Sequence, residues 1–71
     1  MYAFSKSIRN ANHVRRFTIE PTTAGWEVKE TQDSKVVRQQ YYQDWHRVER
    51  VRRAFTLQLN ELRQDGWEEV S

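Results

Sequence analysis

The sequence predicts an α+β domain in which one C-terminal helix covers one face of a small antiparallel sheet. Two patterns lead to this fold class. Apolar residues recur at steps of three and four in residues 44–64, which is the spacing of one helical stripe. Residues 13–42 instead form short alternating segments separated by turn residues, which is typical of strands. Because an apolar helical stripe must be buried, a sheet with one apolar face is the partner that the chain offers.

The helix has clear predicted ends. Asp44 suits the N-cap, since its carboxylate can accept hydrogen bonds from the N–H groups of the first turn. Asp65-Gly66 predicts the end, because glycine takes the left-handed conformation that commonly follows a helix. The apolar stripe consists of Trp45, Val48, Val51, Phe55, Leu59 and Leu62. Beyond the helix, Trp67 is expected to fold back on the core, and a strand after it is the less favoured alternative.

Three strands are predicted before the helix, at residues 13–20, 26–31 and 35–42. A two-residue loop at Asp33-Ser34 would place Trp26 opposite Tyr41, whereas a loop one residue longer would place it opposite Tyr42. The sequence leaves this register open. Residues 2–8 alternate only faintly, so they form either a fourth strand or an ordered arm, and the predicted order is (β)βββα.

Length and composition favour a single small domain. We assign residues 1–12 to an N-terminal arm or edge strand, and residues 13–71 to the domain itself. The chain has no cysteine, which excludes a disulfide framework and a zinc–thiolate site. It also lacks an apolar run of about 18 residues, so we expect a cytoplasmic protein without membrane association.

Charge is distributed unevenly along the chain, although the net charge is only +2. Residues 1–16 contain four Lys or Arg residues and no acid, whereas residues 64–71 contain three acids and no base. A basic end of this kind favours contact with a polyanion or with the acidic end of another copy.

The sheet face that the helix leaves uncovered is the candidate nucleic-acid interface. Sheets that bind single strands use aromatic rings for stacking and cations for phosphates. The candidate residues are Arg15, Arg16, Lys29, Arg38 and Tyr42, with Tyr41 as the alternative ring. The competing interpretation is an ordinary solvated face on which Glu20 and Glu27 neutralise part of the charge.

The helix ridge opposite the apolar stripe is a second candidate surface. It contains His46 and three candidate interaction residues, Arg50, Arg53 and Leu57. This ridge would contact phosphates or, through Leu57, a second copy of the chain or another protein. The alternative is a solvated helix face.

Enzymatic and cofactor chemistry is not predicted. His13 and His46 lack the convergent ligands of a metal site and a nucleophile at a recognisable spacing. We therefore expect a non-enzymatic module without cofactor or metal, binding DNA or RNA. The alternative is a protein-interaction or homodimerising accessory protein.

Three short segments mark a strand, a turn and the helix start in the predicted (β)βββα order. They are Gly25-Trp26-Glu27-Val28, Asp33-Ser34-Lys35 and Asp44-Trp45, respectively. Three strands followed by a helix resemble the compact DNA-binding domains of plants and phage integrases. With a fourth strand, the order is similar to that of dimeric single-strand-binding transcriptional coactivators. The resemblance implies DNA binding through the sheet, but it is one of element order, which does not by itself determine function.

Overall fold

The computed structural model describes residues 3–70 and confirms the predicted α+β fold. An antiparallel sheet of five strands packs against one helix, with the strands in the order β4-β3-β2-β1-β5. The elements are β1 (Phe4–Asn10), β2 (His13–Thr22), β3 (Gly25–Gln32), β4 (Lys35–Tyr42), α1 (Trp45–Gln64) and β5 (Glu68–Val70).

The N-terminal segment is an interior strand. β1 pairs with β2 on one side and with β5 on the other, so it is neither an arm nor an edge. The less favoured alternative, a strand after the helix, is present as well, because β5 pairs Ser7 with Val70 and Arg9 with Glu68. Trp67 does fold back as predicted and packs against the core. Residue 2 of the segment predicted as a strand or an arm lies outside the described residues.

Both predicted helix ends are confirmed. The Asp44 side chain accepts a hydrogen bond from the backbone N–H of His46 at 3.0 Å. At the other end, the N–H of Trp67 donates to the carbonyl of Leu62 at 3.0 Å, and Gly66 takes a φ of 98°. This is the Schellman arrangement, in which a left-handed glycine lets the chain turn back and brings the next apolar residue onto the helix.

The core lies between α1 and the sheet face that packs against it, here called the helix side. Phe55 is its centre, since its ring lies 5.0 Å from that of Phe17 in an edge-on contact. Trp26 and Trp45 pack with ring centroids 5.3 Å apart at the N-terminal end of α1. The buried hydrophobic residues of the described chain are Ile8, Phe17, Ile19, Val28, Val48, Phe55 and Leu59.

The β3–β4 register combines the two alternatives that the sequence left open. Asp33 and Ser34 form a two-residue turn with positive φ at both positions, which matches the twist of a hairpin. Trp26 nevertheless pairs with Tyr42, because a bulge in β4 leaves Val37 without a partner on β3. The bulge therefore decides which β4 side chains lie on each face of the sheet.

Candidate nucleic-acid interface

The sheet face turned away from α1, here called the outer face, is open to solvent. Side chains alternate along each strand, so the neighbours of the buried core residues point to this face. A trough of about 760 Å³ runs across it and is here called the outer trough. Its lining includes two cations, two carboxylates and three hydroxyl groups, from Arg16, Lys29, Glu20, Asp33, Ser7, Thr18 and Thr31.

Two cations, Arg16 and Lys29, line the outer trough and form no ion pair within residues 3–70, although the charge of Lys29 also acts on the Glu27 carboxylate. Lys29 is opposite Thr18 and Arg16 is opposite Thr31, which makes the two cations diagonal neighbours on adjacent strands. Diagonal positions of this kind have Cβ atoms about 7–8 Å apart. The Nε–H of Arg16 donates to the Ser7 hydroxyl at 3.2 Å. Within residues 3–70, neither cation has a carboxylate oxygen within 4.0 Å.

Hydroxyl groups form the floor between these cations. Thr18 is only 7% exposed although it lies on the open face, and its hydroxyl donates to the carbonyl of Lys29 at 3.4 Å. Ser7 and Thr31 contribute further hydroxyls to the same trough. The centre of the trough therefore presents positive charge and neutral hydrogen-bonding groups.

Carboxylates flank the cations at both ends of the outer face. At one end Glu20 and Glu27 lie opposite each other on β2 and β3. Hydrogen bonds from Tyr41 and Gln39 hold the pKa of Glu27 below its usual value. Glu27 in turn raises the pKa of the Tyr41 hydroxyl. Tyr41 is 67% exposed and is thus the accessible ring of this face, but it lies at the acidic end.

At the other end Asp33 is engaged by its own neighbours. It accepts from the Val14 backbone N–H and pairs with His13 Nδ1, each at 2.8 Å. The hydrogen bond with His13 is the main cause that lowers the pKa of the Asp33 carboxyl. The charge at this end is therefore partly satisfied within the protein.

Three of the five predicted nucleic-acid residues lie on the helix side instead. Arg15 forms an ion pair with Glu30 at 2.5 Å, and the two side chains are only 18% and 8% exposed. The β4 bulge turns Arg38 to the position opposite Glu30, so its expected outward direction is wrong. Tyr42 is opposite Trp26 and half-buried against the core. The structure therefore brings together Arg16 and Lys29, and separates Arg15, Arg38 and Tyr42 from them.

The second predicted surface lies on the side of α1 that faces solvent, with Leu57 outside the groove that its other residues line. Arg50 and Arg53 line a shallow groove of about 390 Å³ on the exposed side of α1, together with His46 and Glu49. Arg53 contacts Glu49 at 3.3 Å. Leu57 is 64% exposed on the same helix. The structure therefore places these residues at the surface.

A third cleft was not predicted from the sequence. It has a volume of about 490 Å³ and lies at the N-terminal end of α1, where Arg47 faces Tyr41, Tyr42 and Trp26. A sequence signal for this cleft would require the β4 register to be known, because only the pairing of Tyr42 with Trp26 brings their aromatic rings to the N-terminal end of α1.

Within residues 3–70, no group of three or more His, Cys, Asp or Glu residues is arranged to hold a metal ion. No helix in the same range is long and apolar enough to cross a membrane. Comparisons with protein-family models, with curated proteins and with solved structures found no match.

Proposed function

We propose that this protein is a small nucleic-acid-binding module whose outer trough accommodates the sugar–phosphate backbone. The supporting observation is the pair of diagonal cations on an open face, Arg16 and Lys29, neither of which forms an ion pair within residues 3–70. Like charges at neighbouring sheet positions are unfavourable unless an anion lies between them. A phosphate group between the two side chains removes this repulsion.

The surroundings of the two cations favour a phosphodiester backbone. The hydroxyls of Ser7, Thr18 and Thr31 lie beside Arg16 and Lys29, and hydroxyl groups of this kind commonly hydrogen-bond phosphate and sugar oxygens. Contacts to phosphate carry no direct sequence information. We therefore expect binding that depends little on base sequence, with Tyr41 as the available stacking ring at one end.

The proposal makes a quantitative statement about salt. Each phosphate contact with a single strand contributes about −0.7 to the slope of log K against log salt concentration. Two contacts, from Arg16 and Lys29, should thus give a slope of about −1.4. Two phosphate contacts correspond to weak binding that is measurable only at low ionic strength.

The test measures fluorescence anisotropy of a labelled 20-nucleotide oligothymidine strand between about 20 and 150 mM salt. The variant Arg16→Gln/Lys29→Gln removes two positive charges from the outer trough. The matched control Arg47→Gln/Arg50→Gln removes two positive charges from α1 instead. Both pairs leave the core residues unchanged, so circular dichroism should show the same fold in each variant.

We expect the trough variant to lose binding and salt dependence, and the helix variant to keep both. Equal loss in the two variants would show that overall charge, and not the trough, is responsible. Loss of binding in the helix variant alone would show that α1, and not the outer trough, contacts the nucleic acid. Absence of binding by the unmodified protein at 20 mM salt, with single-stranded and double-stranded probes alike, would remove the proposal.

A further inference from the structure

Strand β4 forms one edge of the sheet, and nothing in residues 3–70 pairs with its free side. Seven of its eight residues are exposed, with Val36 at 54% and Val37 at 55%. Its composition is nevertheless that of a paired strand, since it contains two valines and two tyrosines. An edge of this length with free N–H and C=O groups is a template for pairing with another strand.

The opposite edge of the sheet is shorter and more highly charged than β4, which itself carries Lys35, Arg38 and the bulge at Val37. β5 has only three residues, and both Glu68 and Glu69 lie on it. Glu69 is already engaged by Lys6 at 2.6 Å and by Arg63 at 2.9 Å. Short length and charged side chains are the features that protect an edge from association. The sheet thus has one protected edge and one open edge.

We infer that β4 is a self-association edge, which pairs antiparallel with β4 of a second copy of this chain about a two-fold axis. The argument for a second copy comes from the register that the bulge allows. Residues that face each other across an antiparallel pair must lie on the same side of the sheet. Arg38, Gln40 and Tyr42 are on the helix side, whereas Gln39 and Tyr41 are on the outer face.

The bulge at Val37 leaves the segment from Arg38 to Tyr42 as the regular part of β4. The longest symmetric pairing of this segment places Gln40 opposite Gln40 of the second copy. Gln39 then faces Tyr41, and Arg38 faces Tyr42, on both sides of the axis. An arginine opposite a tyrosine ring is favourable, and no two cations of the strand are opposed.

The same register limits the assembly to a dimer. Because the interface consists of the same strand in both copies, it closes on itself and leaves only the two protected β5 edges free. The paired sheet would have ten strands, and the outer troughs of the two copies would lie on one continuous face. This inference is independent of the proposed nucleic-acid binding, since it depends on β4 alone.

The test is a charge exchange at Gln40, combined with sedimentation equilibrium over a wide concentration range. Gln40 is exposed, so Gln40→Lys and Gln40→Glu should leave the protomer fold intact. Each variant alone would oppose like charges at the axis and weaken association about fivefold, whereas an equimolar mixture should form a heterodimer at least as tight as the unmodified dimer. Gln64→Lys, at the end of α1, is the matched control and should associate normally.

Because the chain has no cysteine, a second measurement is available. Gln40→Cys should form a disulfide-linked dimer on mild oxidation, since residues directly opposite in an antiparallel pair lie within disulfide distance. Gln64→Cys should not. A protein that stays monomeric at millimolar concentration would overturn the inference. A dimer that is indifferent to the charge at Gln40 and does not cross-link there would also overturn it.

Discussion

The ion pair between Arg15 and Glu30 allows a sharp prediction about stability, because its two members differ in the partners that remain when one is removed. Glu30→Gln leaves Arg15 beside Ile8 and Gln32, its neighbours on the adjacent strands, neither of which is charged. Arg15→Met leaves Glu30 opposite Arg38, which can take over as its cation. Removing Glu30 should therefore destabilise the protein more than removing Arg15.

The expected losses of unfolding free energy follow from the burial of the Arg15 and Glu30 side chains. Breaking a buried pair by removing one partner costs about 3–5 kcal/mol. Arg15 keeps 18% of its side-chain exposure and can shift toward water, so the lower value of about 3 kcal/mol applies to Glu30→Gln. A cross-strand pair of opposite charge contributes up to about 1 kcal/mol, so the contact with Arg38 should reduce the cost of Arg15→Met to about 2 kcal/mol.

Urea unfolding followed by tryptophan fluorescence measures these free energies, since Trp26, Trp45 and Trp67 all contact the core or each other. Arg38→Gln alone should cost less than about 0.5 kcal/mol, because the side chain is exposed. In the Arg38→Gln background, Arg15→Met should cost about 1 kcal/mol more than it does alone. If the free-energy changes of Arg38→Gln and Arg15→Met are additive, Arg38 does not replace Arg15 as the cation beside Glu30. The same conclusion follows if Arg15→Met costs more than Glu30→Gln.

Two further predictions concern the turns. Gly25→Ala should lower the free energy of unfolding by about 3 kcal/mol, because φ is +144° and a Cβ there would lie 2.2 Å from the carbonyl oxygen of Tyr42. Gly66→Ala should cost only about 1 kcal/mol, because φ is +98° but the added Cβ would make only an ordinary contact with the Asn10 side chain, at 3.9 Å. Thermal unfolding of both variants measures the difference, and equal costs would contradict the steric argument. Because the pKa of Asp33 is lowered in the folded state, Asp33 favours folding above its ordinary pKa of 3.8, and this contribution disappears as the pH falls through the folded-state value. Urea unfolding at a series of pH values should thus show a shallower acid loss of stability for Asp33→Asn, and identical pH profiles would exclude a stabilising contact with His13.

The helix and its ends could be predicted from the sequence because their signals are local. Asp44 and Gly66 perform their capping roles through backbone groups within a few residues, and the apolar stripe requires only helical periodicity. The same holds for Trp67, which is carried back onto the helix by the geometry of the glycine turn.

The N-terminal strand was obscured by a contact that is distant in sequence. Lys6 interrupts the alternation of Phe4 and Ile8, because it points to the helix side where an apolar residue is expected. Its ammonium group bonds to Glu69 on β5, 63 residues away. A strand of three residues such as β5 has too few positions for a periodic signal, so neither Lys6 nor β5 could be interpreted alone.

The candidate interface was only partly predictable, because a single unpaired residue changes the faces of β4. Val36, Val37 and Arg38 are all exposed, so no difference in hydrophobicity marks which of them lacks a partner on β3. One such residue moves every subsequent side chain to the other side of the sheet. Arg16 and Lys29 lie on strands without a bulge, and their outward direction followed from alternation alone.

The position of β5 beside β1 has a consequence for synthesis on the ribosome. β1 acquires its second neighbour only after residues 68–70 have left the exit tunnel, since these residues form the strand that pairs with it. A nascent chain arrested before that point would carry two bare edges, β1 and β4, and would be open to mispairing at either end. A variant truncated before residue 68 should therefore yield insoluble material, even though the truncation deletes no residue of the buried core.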